Sequence, residues 1–138
     1  MAYVREYKDD PSIRDQDDLW RRIQPEWIIF DEALGRNRPS SAAFQDSSDG
    51  TAMSVDLAKL RSGTAEALAS YPGHGLASFT AGFARRDCRQ GVDHTPEEGG
   101  YDAHASVWGD KPKSVRNRFA KAANLIGRPS APTAAPAP

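Results

Sequence analysis

Apolar and polar positions alternate most regularly over residues 101–108. Tyr101, Ala103, Ala105 and Val107 fall on one side, and Asp102, His104, Ser106 and Trp108 on the other. A period of two is the signature of a half-buried strand, and Gly109-Asp110 closes it with a turn. The period then changes. Val115, Phe119, Ala122, Ala123 and Ile126 recur at helical spacing, which predicts an amphipathic helix with one side on a core. Pro112 suits its lead-in and Ser114 its cap, because a hydroxyl there takes an otherwise orphan N–H. Gly127 and Pro129 end it.

Upstream the pattern is more broken. Asp17 and Asp18 precede Leu19-Trp20-Arg21-Arg22-Ile23, and acids before a short apolar run predict a short helix over residues 16–23, stopped by Pro25. Trp27-Ile28-Ile29-Phe30 is too short for a helix and rich in aromatic and branched residues, so it reads as a buried strand. Residues 31–36 read as a turn, and 41–45 as a short strand or a single turn. Residues 53–57 alternate as a strand, with a helix start at 57–60 competing. Residues 64–69 read as a short helix capped by Thr64. Residues 72–75 form a tight turn. Over 76–84, Ala77, Phe79, Ala81 and Phe83 give a strand its apolar face, and Gly82 marks a bulge or a close backbone approach. A strand restarts across 89–93, and 94–100 is a flexible connection.

These elements predict a small α+β domain. Its mixed or antiparallel sheet of four or five strands is covered by a C-terminal amphipathic helix and one or two short helices. Residues 1–15, polar and acidic, are expected as a flexible arm with one docked strand at Tyr3-Val4; residues 16–128 form the domain. Residues 129–138 contain only Pro, Ala, Ser and Thr. They have too little to bury to offset ordering entropy, and are expected as a disordered tail.

Composition narrows the reading. A chain of 138 residues suffices for one core without disulfides, and its single cysteine, Cys88, has no partner for one. Cys88 is expected as a small buried hydrophobe. No apolar run reaches the length of a membrane span. Residues 1–10 hold no hydrophobic segment of the signal-peptide type, so a cytoplasmic location is expected. The three histidines lack metal-ligand spacing, and the Asp-rich loop at 46–50 lacks the remaining ligands of a calcium loop. Neither a metal nor a cofactor is expected.

Charge adds the main functional signal. The formal net charge is −1, yet residues 111–128 carry six Lys/Arg and no acid. Lys113, Arg116, Arg118 and Lys121 make the polar face of the expected helix, a surface able to meet an acidic partner or phosphates. On the strand, His104 and Ser106 project to the same side. Together with Arg38, or in its place Arg36, from the Arg36-Asn37-Arg38-Pro39-Ser40-Ser41 loop, they form the catalytic set expected of an enzyme acting on a phosphate. His104-Ala105-Ser106 resembles the H-x-S/T element of two-histidine phosphoesterases. That family carries a second such element; His94-Thr95-Pro96 departs from it in spacing, and Pro96 breaks the strand.

The leading expectation is a small cytoplasmic accessory or adaptor protein that binds a partner protein through the basic helix. Two others stand beside it: nucleic-acid binding by the same helix, and a small phosphoesterase or nucleotide-using transferase built on His104, Ser106 and Arg38. No membrane partner is expected, and the pattern carries no signal about oligomeric state.

Overall fold

The computed structural model describes residues 7–48 and 50–127. The strand expected at Tyr3-Val4, Asp49 of the acidic loop, Arg128 of the basic run and the 129–138 tail lie outside the described residues. Among those described there are eight strands: β1 (Asp18–Ile23), β2 (Ile28–Asp31), β3 (Arg36–Pro39), β4 (Met53–Leu57), β5 (Gly75–Thr80), β6 (Gly91–His94), β7 (His104–Trp108) and β8 (Asn124–Gly127). Four α-helices accompany them: α1 (Thr64–Leu68), α2 (Ala81–Arg86), α3 (Pro96–Gly99) and α4 (Lys113–Ala122).

The fold is α+β, as the pattern implies, but the sheet is larger than the four or five strands expected. Six strands form one sheet in the order β6-β7-β4-β1-β5-β8, and β2-β3 form a separate hairpin. Every neighbouring pair is antiparallel.

Two strands come from residues expected to be helical. Leu19 and Ile23 are four apart, so they share one face of a helix. Four is also even, so they share one face of a strand. Pairing decides: β1 lies between β4 and β5, with Leu19 opposite both Leu57 and Phe79. At the other end, α4 stops at Ala122 and Ala123 turns extended. Asn124–Gly127 then pairs along β5, so the helix neither reaches Ile126 nor is the last described element. Its N-cap position is Pro112, with no side-chain cap, and Ser114 lies inside the first turn.

The strand expected over residues 76–84 ends at Thr80. Its hydroxyl accepts the Phe83 N–H at 3.1 Å and opens α2, a cap that the alternating pattern concealed. Gly82 is a close approach and not a bulge, since a Cβ there would press on Asp15. The hydrophobic tetrapeptide at Trp27 is not a buried strand: Ile29 and Phe30 of β2 are exposed.

The main sheet is covered on both faces. Leu19, Ile23, Met53, Val55, Leu57, Ala77, Phe79, Val92, Ala105 and Val107 form the apolar face. Phe119 of α4 seats there against Phe44, Phe79 and Phe83, at ring-centroid distances of 5.4, 4.9 and 5.7 Å. The described part of the segment expected to be a flexible arm is docked. Ile13 is buried in the core, the Asp10 N–H donates to the Val92 carbonyl at 2.7 Å, and Arg85 bonds Asp9 and Asp15.

Candidate functional site

The basic face of α4 divides in two. Lys113 is exposed, and the half-buried Arg116 turns back, its Nε donating to the Lys111 carbonyl at 3.0 Å. Arg118 and Lys121, one turn on, stay at the surface beside α2. There they line a cleft of about 590 Å³ with Arg86 and Arg89, over Phe83 and Ala122. Arg118 is steered into place by donating to the Asp87 carbonyl at 3.1 Å. Arg86 is held by Asp15 at 2.6 Å, whereas no ion pair engages Arg89 or Lys121 among the described residues. Arg89 also holds a left-handed backbone, with φ at 56°, a conformation that a side chain adopts at some cost. Beneath the cleft Cys88 is fully buried. Burial pushes its thiol up to about 12, with Arg118 opposing and Asp87 adding, which favours the thiol over the thiolate at neutral pH.

Arg86 and Arg89 were not part of the sequence expectation for this surface. Their signal was present as the run Arg85-Arg86-Asp87-Cys88-Arg89, which reads as the end of a strand until Thr80 is recognised as a cap.

The opposite face of the sheet is polar, and most of it is buried. His104 and Ser106 do come together, as their spacing requires, but in a closed network. His104 Nδ1 meets the Thr95 carbonyl at 3.0 Å and its hydroxyl at 2.9 Å. A carbonyl only accepts, so Nδ1 carries the proton, and a neutral ring then accepts at Nε2 from the Ser54 hydroxyl at 3.1 Å. The Thr95 hydroxyl also bonds Ser106 Oγ at 2.8 Å. Both ring nitrogens are therefore occupied by protein.

Arg38 is not joined to this group. Its Nε pairs with Asp31 at 2.6 Å and its Nη1 bonds the Pro39 carbonyl at 2.8 Å, within the β2-β3 hairpin. The guanidiniums on this face of the sheet are others, and they meet Asp56. Asp56, paired in register with His104, is fully buried between Arg22 and Arg61, each at 2.9 Å. The Tyr101 hydroxyl donates to Asp56 at 2.7 Å, and the Tyr101 ring stands edge-on to His104 at 5.6 Å. Burial and the Asp56 carboxylate both raise the Tyr101 pKa, so it remains a donor. For Arg61, burial acts downward but Asp56 and Glu66 outweigh it, and its pKa is raised.

Among the described residues no group of three His, Cys, Asp or Glu could hold a metal ion, and no helix is long and apolar enough to cross a membrane. In comparison with known proteins, no family model matches the chain, and neither a curated protein nor a solved structure matches it significantly.

Proposed function

We propose that this chain is a small cytoplasmic adaptor or accessory protein that docks an acidic segment of a partner protein in the cleft between α2 and α4. The observation that carries the reading is the convergence of Arg86, Arg89, Arg118 and Lys121 on one cleft whose lining includes a single carboxylate, Asp87. Two separate elements thus aim cations at a common space, whereas a merely solvated helix face has no reason to recruit a second element. Phe83 and Ala122 add apolar surface, which suits a peptide with an apolar anchor among its acids. The burial of His104, with both ring nitrogens turned to protein groups, supports a binding role over a phosphoesterase one, because neither nitrogen faces an open space where a substrate could sit.

The test is purification of the tagged chain from its native cells at low and at moderate salt, beside the Arg118→Glu/Lys121→Glu variant. Both side chains are exposed, so the variant keeps its fold. The expected result is a stoichiometric protein partner that survives moderate salt and is lost from the variant. A partner retained by the variant would overturn the site. Nucleic acid shed steeply as salt rises would replace the partner protein with a phosphate backbone.

A further inference from the structure

A second cleft, of about 460 Å³, is lined by Arg21, Arg22, Trp27, Ser47, Ser48 and His74 among others. Its two arginines are neighbours in β1 and therefore leave the sheet on opposite faces. Their charges are met differently. Arg22 bonds Asp56 at 2.9 Å, donates from Nε to the Ala67 carbonyl at 2.9 Å and stacks 4.1 Å from the Tyr71 ring centroid. Its charge is matched.

Arg21 has no carboxylate partner among the described residues. Its Nε donates to the Ala43 carbonyl at 3.0 Å, Nη1 to the Ser54 carbonyl at 2.8 Å and Nη2, at the longer distance of 3.5 Å, to the Gln45 carbonyl. Three carbonyls hold the guanidinium in place without neutralising it, and they engage three of its five N–H donors. Asp46 lines the same cleft, but Lys111 Nζ lies on its Oδ1 at 2.7 Å. Burial brings the Arg21 pKa down to about 10, with Asp46 opposing and Arg22 adding, so the group is still a cation at neutral pH. A desolvated cation with no carboxylate bonded to it is costly, and that cost is offset when an anion occupies the space in front of it.

The rest of the lining says which anion. Ser47 and Ser48 add hydroxyls from a different element. His74 turns Nδ1 to the Pro72 carbonyl at 3.4 Å, and Nε2 has no partner among the described residues. Donors contributed by separate segments of the chain suit a tetrahedral group better than a planar carboxylate, which a guanidinium fork alone would satisfy. Trp27 offers an aromatic surface on the same cleft, and the volume lies within the range of small-molecule sites. We infer that this cleft binds a mononucleotide, a phosphate monoester of a sugar that carries a planar base, with the phosphate oxygens on Arg21, Ser47 and Ser48 and the base against Trp27.

The test is calorimetric titration of the full chain with AMP, GMP, CMP and UMP, with the parent nucleosides, with inorganic phosphate and with benzoate. The expected result is saturable one-to-one binding of at least one nucleotide, with its nucleoside and benzoate about tenfold weaker or worse, the scale of one lost charged hydrogen bond. Arg21→Lys removes the fork but also loosens three carbonyl contacts, so the Ser47→Ala/Ser48→Ala variant, altered only at exposed hydroxyls, is measured beside it. It is expected to bind the nucleotide about tenfold more weakly at an unchanged unfolding midpoint. Arg118→Glu/Lys121→Glu is expected to bind it as the unaltered chain does, which separates this site from the α2-α4 cleft. No saturable heat with any nucleotide, a nucleoside or benzoate binding as tightly, or undiminished binding to the serine variant would each overturn the inference.

Discussion

Asp56 is held on several sides at once. Its carboxylate is fully buried, receives Arg22 and Arg61 at 2.9 Å each, and takes a third bond from Tyr101. Two guanidiniums, each largely withdrawn from water, depend on this one anion, with Glu66 as a further partner of Arg61. Removing one member of a buried charge group leaves the others unpaired, which costs about 3–5 kcal/mol. Asp56→Ala is therefore expected to lose about that much in urea unfolding. A loss below about 1 kcal/mol would mean that both arginines swing into water. Local sequence did not mark this site: Asp56 lies in a strand that reads correctly as Met53–Leu57, and its partners come from positions 22, 61 and 101.

At the scale of elements, two small packings carry large consequences. The short helix α3 lies so close over β7 that a Cβ at Gly99 would fall within the space of the His104 ring. Gly99→Ala must displace that ring or the helix. An overpacked site of this kind costs about 1–3 kcal/mol, measurable as a lowered midpoint in chemical denaturation, whereas an unchanged midpoint would show that α3 slides freely. The second packing is the docked acidic segment. The Asp15 carboxyl is held below the ordinary range first by its bond from Arg85, then by Arg86. Asp10 is held below it by its bonds from Ser12, and Asp17 by the Arg14 N–H and by Lys59. Depressed folded-state pKa values stabilise the folded form above the unfolded carboxylate pKa, near 3.9, and that contribution disappears as pH falls through the folded values. Proteolytic cleavage within residues 7–17 is accordingly expected to be slow at neutral pH and to quicken below about pH 4, using an acid-active protease. A rate independent of pH relative to an unfolded control would show that Ile13 alone anchors the segment.

For the molecule as a whole, the sheet separates two kinds of interior. One face gathers the aromatic cluster around Phe119, and the other gathers Asp56, His104, Ser54 and Ser106 with the groups that satisfy them. The α2-α4 cleft borders the aromatic side through Phe83, which packs on Phe119. Arg118 follows from a helix seated by Phe119, and Arg21 from a strand pinned between β4 and β5. The sequence by itself determined β4, β7 and α1 closely, the α+β class and the charged face of α4, because period and charge act over a few neighbouring residues. It also placed His104 and Ser106 on one side of a strand, since alternation is a local property. Only the tertiary structure decided that residues 18–23 and 124–127 are strands, because Leu19 and Ile23 suit a helix or a strand equally and β8 takes its backbone bonds from β5. Nor could sequence bring Arg86 and Arg89 to Arg118, leave Arg38 with Asp31, or show Arg21 facing carbonyls without a carboxylate. Those outcomes depend on which distant segments meet, and a pattern read along the chain carries no record of them.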